Sequence, residues 1–229
     1  MKKHIYFLVF LAFVSLASSA NPIPLRAYLS HASFLSPESG PYLETYLSIL
    51  GKSVQFVRNE NGKFQGTVTV TMLFKQHDSI KEFRKYDLHT AEIDDTSHIN
   101  FIVFDQQRIA LANGSYELEL AIADKNREML PFKAKDGVDI NFDSKKVSVS
   151  DIELIDSFTQ ATETSKMAKS GYDFIPYQDY FFPQNSKKIT FYGEIYNTLA
   201  LLGSDKQFVI TSSLQSAETG KTVDDFFRI

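Results

Sequence analysis

The sequence predicts an all-β protein built from tandem β-sandwich modules, the second truncated at its carboxy-terminal end. Three observations carry that prediction. Apolar and polar residues alternate at period two, most clearly where Tyr116, Leu118, Leu120 and Ile122 interleave with Glu117, Glu119, Ala121 and Ala123. Strand side chains point to opposite faces in turn, so one such set belongs to a core. Turn signals rich in Gly, Pro, Asn and Asp return about every ten residues, the spacing of a sandwich. Between Leu25 and Phe142 no run has a helical period.

The first module spans residues 21–143. Residues 25–31 read as a strand, 36–41 (SPESGP) as a turn cluster, and 42–49 as a second strand. Gly51 and Lys52 are expected to close that strand into a hairpin with 53–58. After a turn at 59–62 comes the clearest strand of this half, 64–75. Val68, Val70, Met72 and Phe74 share one face and Thr67, Thr69 and Thr71 the other, a composition suited to a pleated surface. Residues 80–88 continue as a strand carrying Ile80, Phe83 and Tyr86. The polar stretch 90–97 is a loop. Residues 99–110 hold a strand that 105–108 (DQQR) is expected to interrupt with a turn or bulge.

The stretch 111–124 (LANGSYELELAIAD) completes the module. Gly114 can make a tight turn, and Tyr116 opens the strand behind it. A turn, then Gly-x-Tyr, then a strand resembles the tyrosine corner of immunoglobulin-like sandwiches, where a tyrosine hydroxyl ties a late strand to backbone upstream. Gly114 and Tyr116 are therefore structural positions, and the modules are expected to be immunoglobulin-like.

Residues 144–229 form the second module. In 147–155 (VSVSDIELI) the alternation changes parity, which predicts a bulge near Ser150 and Asp151. Residues 159–170 are polar, a loop or short helix. Residues 171–183 concentrate aromatics between a glycine and a proline. Residues 188–198 read as a strand with Ile189, Phe191 and Ile195 on one face and Tyr192 and Tyr196 on the other. Another strand is expected at 207–213, then a hairpin turn at 216–221 and its return arm at 223–229. No turn followed by a tyrosine recurs after Lys187. The last strands of this module are thus expected to be missing, with Phe226 and Phe227 on an unfinished edge.

The address is export. Lys2 and Lys3 precede an apolar run at 5–17, and Ser18, Ser19 and Ala20 supply small residues for cleavage. Residues 1–20 read as a cleaved signal peptide, since the run falls short of the ~20 apolar residues a membrane span needs. Pro22 and Pro24 prevent a helix from continuing. No other run reaches transmembrane length. Without Lys2 and Lys3 the chain has 22 basic against 28 acidic residues, a net charge of −6. That balance argues against nucleic acid, whose phosphates need clustered cations. There is no cysteine, which excludes disulfides, thiolate metal sites and a lipid-anchoring cysteine. An exported chain of this size without disulfides fits a bacterial envelope, in the periplasm or at the outer-membrane surface.

Chemistry is thinly marked. His89, Glu92, Asp94, Asp95 and His98 fall close together but match no metal-ligand spacing, and read as a solvated acidic loop. There is no nucleophile elbow, no triad pattern and no phosphate-binding glycine loop. Glu117 and Glu119 alternate on an outward strand face and read as solubilising residues. No catalytic residue and no cofactor is expected. The candidate binding residues are Tyr172, Phe174, Tyr177, Tyr180, Tyr192 and Tyr196. Exposed, such rings stack on sugars or anchor a protein; buried, they fill a core or a junction between modules. The expected role is a non-enzymatic interaction or structural module whose partner is another envelope protein; the alternatives are a carbohydrate-binding module using the aromatics of residues 172–180 and an accessory domain of a longer hydrolase.

Several segments, SGPYLETYLSI, GKFQGTVTVTMLFKQ, LANGSYELELAIADKN, VSVSDIELIDS, SGYDFIPY and ITFYGEIYNT, are similar to the amino-terminal region of the GWxTD domain proteins of Bacteroidota. The resemblance implies a Gram-negative envelope or secreted protein of tandem β-sandwich modules. The chain has no tryptophan, so the Gly-Trp-x-Thr-Asp motif itself is absent and no site residue follows from it.

Overall fold

The computed structural model of the chain describes residues 23–162, 167–178 and 181–223. The expected leader, Tyr180, Phe226 and Phe227 lie outside the described residues. The first part of the chain contains β1 (Ala27–Ser36), β2 (Gly40–Leu50), β3 (Phe56–Arg58), β4 (Phe64–Gln76), β5 (Ser79–His89), β6 (Ile102–Ala110), β7 (Gly114–Asp124) and β8 (Phe132–Ile140). All pair antiparallel. One sheet has the order β1-β2-β6; the other runs β3-β4-β7-β8, with β5 also paired to β4.

Alternation decides which side chains lie between the sheets. Val68, Val70, Met72 and Phe74 of β4 are buried, the last three in register with Ile122, Leu120 and Leu118 of β7. Leu43, Leu47 and Ile49 of β2 and Val103 and Ile109 of β6 complete the core. Each fully buried side chain of this size contributes roughly 1.5–3 kcal/mol. Outward, β4, β7 and β8 carry a charged ladder in which Lys75 and Lys135 meet Glu119 at 2.7 and 2.6 Å. Gly114 begins β7 at φ +152°, and a Cβ there would stand 2.3 Å from the Gln76 amide nitrogen. The Tyr116 hydroxyl donates to the Ala112 carbonyl at 2.8 Å.

Two local expectations are corrected. Residues 51–58 do not fold back on β2, because both edges of β2 are filled by β1 and β6. Instead Gly51–Ser53 forms a single 3-10 turn that carries the chain to the other sheet, where β3 pairs with β4. The Gly51 N–H donates to the Phe101 carbonyl at 3.0 Å, and a Cβ at Gly51 would meet that oxygen at 2.8 Å. Residues 105–108 do not interrupt β6; they pair continuously with residues 44–47 of β2. Their polar character reflects side-chain partners on both sides of the sheet: Gln106 and Arg108 reach Glu44, and Asp105 accepts from Tyr86.

The second part contains β9 (Ser148–Val149), β10 (Glu153–Gln160), β11 (Tyr172–Pro176), β12 (Thr190–Tyr192), β13 (Ile195–Tyr196) and a one-turn helix, α1 (Thr198–Leu202). Its sheets have the orders β11-β10-β12 and β13-β9. The irregularity expected at Ser150 and Asp151 is a complete break between β9 and β10, because β1 captures Asp151; the register shift lies between Ile155 and Ser157. The strand expected over 188–198 is split at Gly193 and Glu194 into β12 and β13, which pair with different strands. Glu194 is held there by Ser150, whose N–H donates to its carbonyl at 2.9 Å. Residues 207–213 form no strand, and Phe208, Val209 and Ile210 are exposed. A turn does occur at 216–221, closed by a bridge between Gln215 and Thr222. Among the described residues no helix is long and apolar enough to cross a membrane.

Candidate functional site

The site lies where the second part of the chain seats on the outer face of the β1-β2-β6 sheet. β2 is the central strand of that sheet, and seven consecutive residues of it are buried. Leu43, Leu47 and Ile49 face the core. The intervening positions, Tyr42, Glu44 and Tyr46, face outward together with Ala32 and Phe34 of β1 and Phe104 of β6. A sheet face left open to water would not bury these residues. Here Phe34 and Glu44 are fully buried because Glu153, Lys169, Phe174 and Tyr192 cover them.

Lys169 is delivered by the hairpin between β10 and β11. Its backbone exchanges both hydrogen bonds with Tyr172, at 2.9 Å each. Ser170 and Gly171 lie between them at φ +51° and +82°, the backbone of a two-residue turn with both central positions left-handed. The side chain then points into a cage. Its Nζ donates to Glu44 Oε2 at 2.6 Å, and it is paired with Glu153 Oε2. Four rings surround it, with Nζ 4.3 Å from the centroid of Phe34, 5.4 Å from Tyr192, 5.8 Å from Phe174 and 5.9 Å from Tyr46. A cation over ring faces is attracted by their quadrupoles, more strongly when desolvated.

The two carboxylates differ. Glu44 is served by Lys169, by Arg108 Nε at 2.5 Å, by the Tyr46 hydroxyl at 2.5 Å and by Gln106 at 3.2 Å. Burial alone would push its carboxyl up, but the Lys169 charge and these hydrogen bonds outweigh burial and hold it below the ordinary range. Glu153 has Lys169, and its Oε1 finds no partner among the described residues. Burial therefore prevails over the Lys169 charge and raises this carboxyl, with the Glu44 charge adding to the effect. Burial and the adjoining Glu44 likewise push the Tyr46 phenol far up, so its hydroxyl stays a donor.

A second set of contacts seals the seam. The Ser33 N–H and hydroxyl donate to Asp151 Oδ2 at 2.8 and 2.6 Å, and the Leu35 N–H donates to the Tyr196 hydroxyl at 3.0 Å. Tyr196 and Tyr192 in turn donate to the two oxygens of Glu194, each at 2.5 Å. The edge of β1 is thus capped by side chains, which blocks strand pairing there.

Of the aromatic candidates, Tyr172, Phe174 and Tyr192 come together. Phe174 packs on Tyr192 at 4.6 Å, and Tyr172 and Phe174 flank Phe158. Tyr196 stands apart, edge-on to Phe142 at 5.4 Å. Tyr177 stacks on Phe182 at 4.3 Å. The acidic loop does not converge: Asp94 pairs with Lys63, Asp95 accepts from Ser97, Glu92 accepts from Asn59 and Asn61, and His89 bonds Thr67. Glu117 and Glu119 pair with Lys135. Sequence reasoning missed Glu44, Arg108, Glu153 and Lys169. A signal for Glu44 was present: Tyr42, Glu44 and Tyr46 occupy the polar side of a strand whose other side is uniformly core-forming. No comparable pattern marks Lys169, which sits beyond a polar loop. Compared with protein-family models, curated proteins and solved structures, the chain matches none.

Proposed function

We propose that this chain is an exported, non-enzymatic protein-interaction module of a Gram-negative envelope, related to the amino-terminal region of the GWxTD domain proteins. The strand order of the first sandwich and the Tyr116–Ala112 bond support an immunoglobulin-like reading of it. The leader grammar of residues 1–20 supports export.

The observation that carries the interaction reading is where large apolar side chains are exposed. Ile152, Leu154, Ile175 and Phe191 are each 40–59 % exposed on the outward side of the β11-β10-β12 sheet, with Leu154 directly opposite Phe191. The first sandwich instead presents charged and threonine-rich outer faces on β4, β7 and β8. Apolar side chains gathered on one sheet face mark a contact surface, and this face suits an apolar sheet or helix of another envelope protein. The test places a photo-crosslinking side chain at Leu154, Ile175, Phe191 or, as control, Glu117 in producing cells. The expected result is one discrete adduct at the three apolar positions and none at Glu117; unreactive positions at all three would refute the reading. A mature amino terminus at Asn21 in the secreted fraction would test export.

A carbohydrate-binding reading draws on Tyr172 and Phe158, which are about half exposed. These two rings meet edge to face at 5.8 Å and 83°, so they do not share the plane on which a sugar ring stacks.

A further inference from the structure

Lys169, Glu153 and Glu44 form a buried trio that the contact surface above does not use. We propose that Lys169 and Glu153 are a covalent modification site, where the lysine Nζ condenses with the Glu153 carboxyl to form an intramolecular isopeptide bond, and Glu44 handles the proton. Nothing outside the chain is required.

Four features carry this assignment. First, Nζ is in contact with Glu153 Oε2 and lies 2.6 Å from Glu44 Oε2, so nucleophile, electrophile and proton acceptor are already assembled. Holding reacting groups in such an arrangement replaces a bimolecular encounter with a unimolecular step. Second, all three side chains are at most 3 % exposed, and rings of Phe34, Tyr46, Phe174 and Tyr192 enclose them. In water an amine and a carboxylic acid stay ionised and do not condense. In a dry site an ion pair is disfavoured, and moving one proton from Nζ to Glu153 yields the neutral amine and neutral acid that do. Third, the two carboxylates are unlike. Glu44 keeps its charge through Arg108, Tyr46 and Gln106, whereas the Glu153 carboxyl is the one raised by burial and its Oε1 has no partner among the described residues. Fourth, a cavity of about 80 Å³ adjoins the trio, lined by His31, Tyr46, Glu153 and Pro176, with room for the water released.

The step balances within the trio. The neutral Nζ attacks Glu153 Cδ and forms the C–N bond. Glu44 takes a proton from Nζ and returns it to the departing hydroxyl of Glu153, the C–O bond breaks, and one water leaves. The product is a secondary amide whose remaining N–H faces Glu44. The reaction runs once per molecule, so a small population of the neutral pair suffices. The bond joins residues 16 apart in sequence and locks the Lys169 turn onto the sheet. In a chain without cysteine it restrains the unfolded state as a disulfide does elsewhere.

The test is the intact mass of the purified, folded chain, followed by digestion after denaturation. The expected mass is one water below that of the sequence, with a branched peptide joining Lys169 to Glu153 and no tryptic cut after Lys169. Lys169→Arg restores the full mass. Glu44→Gln, confirmed as folded by circular dichroism, keeps the full mass or loses water far more slowly. A folded wild-type chain at full mass, cut normally after Lys169, overturns the proposal whether or not either variant folds. Water lost at wild-type speed in a folded Glu44→Gln variant overturns the role given to Glu44.

Discussion

Replacing Lys169 with methionine keeps much of the side chain's volume but leaves the Glu153 carboxyl buried without its cation. The cost can be worked from linkage. A carboxyl whose folded pKa is raised contributes stability that is complete below its unfolded pKa and is lost as pH rises toward the folded one. The unfolded reference for Glu153 is 4.5, and each pH unit above it costs about 1.4 kcal/mol while the buried acid stays neutral. The penalty therefore grows with pH and is bounded at about 3 kcal/mol at pH 7 and at under about 1 kcal/mol at pH 5, the bound being met where the buried acid stays neutral over that range. Measured against Lys169→Met/Glu153→Gln, in which positions 153 and 169 are uncharged at every pH, the single variant reads out the ionisation of Glu153 beside the same Glu44 and Arg108. Neither variant has a lysine at this position, so any covalent contribution cancels. Urea unfolding at pH 5, 6 and 7 should show the double variant gaining over the single one, with the gap widening as pH rises. A gap that is flat with pH, or below about 1 kcal/mol at pH 7, would mean that Glu153 is not held in a dry site and would refute the cage geometry.

Two further outcomes test the first sandwich. Tyr116→Phe removes the hydroxyl that reaches Ala112 and should cost about 1 kcal/mol in chemical denaturation, without changing the far-ultraviolet spectrum; no loss would leave that bond without a role. Phe74→Ala opens a cavity in the core and should cost about 3–5 kcal/mol, whereas Phe83→Ala, at a half-exposed position on β5, should stay within roughly 0.5 kcal/mol. Equal losses at Phe74 and Phe83 would contradict the sheet orientation.

The sandwich was legible because its signals are local. Val68, Val70, Met72 and Phe74 alternate with threonines, and no other arrangement buries that face while leaving the threonines outside. The turn before Tyr116 was readable for the same reason: Gly114 and its tyrosine are neighbours in sequence. Errors arose where the outcome depends on what a strand already pairs with. Residues 53–58 have the composition of a hairpin arm, but β2 has no free edge. Residues 188–198 alternate as one strand, yet Ser150 and the short strands on either side pull the two halves apart.

Alternation and turn chemistry, written into neighbouring residues, therefore determined the all-β class, the strand faces and the core of the first sandwich. The tertiary structure alone decided that Glu44, which its own strand marks only as a carboxylate on the face away from the core, meets Arg108, Glu153 and Lys169. Those contacts join residues 64 to 125 positions away along the chain. Their energetics come from burial under a second unit, a property of how two surfaces meet rather than of any sequence window.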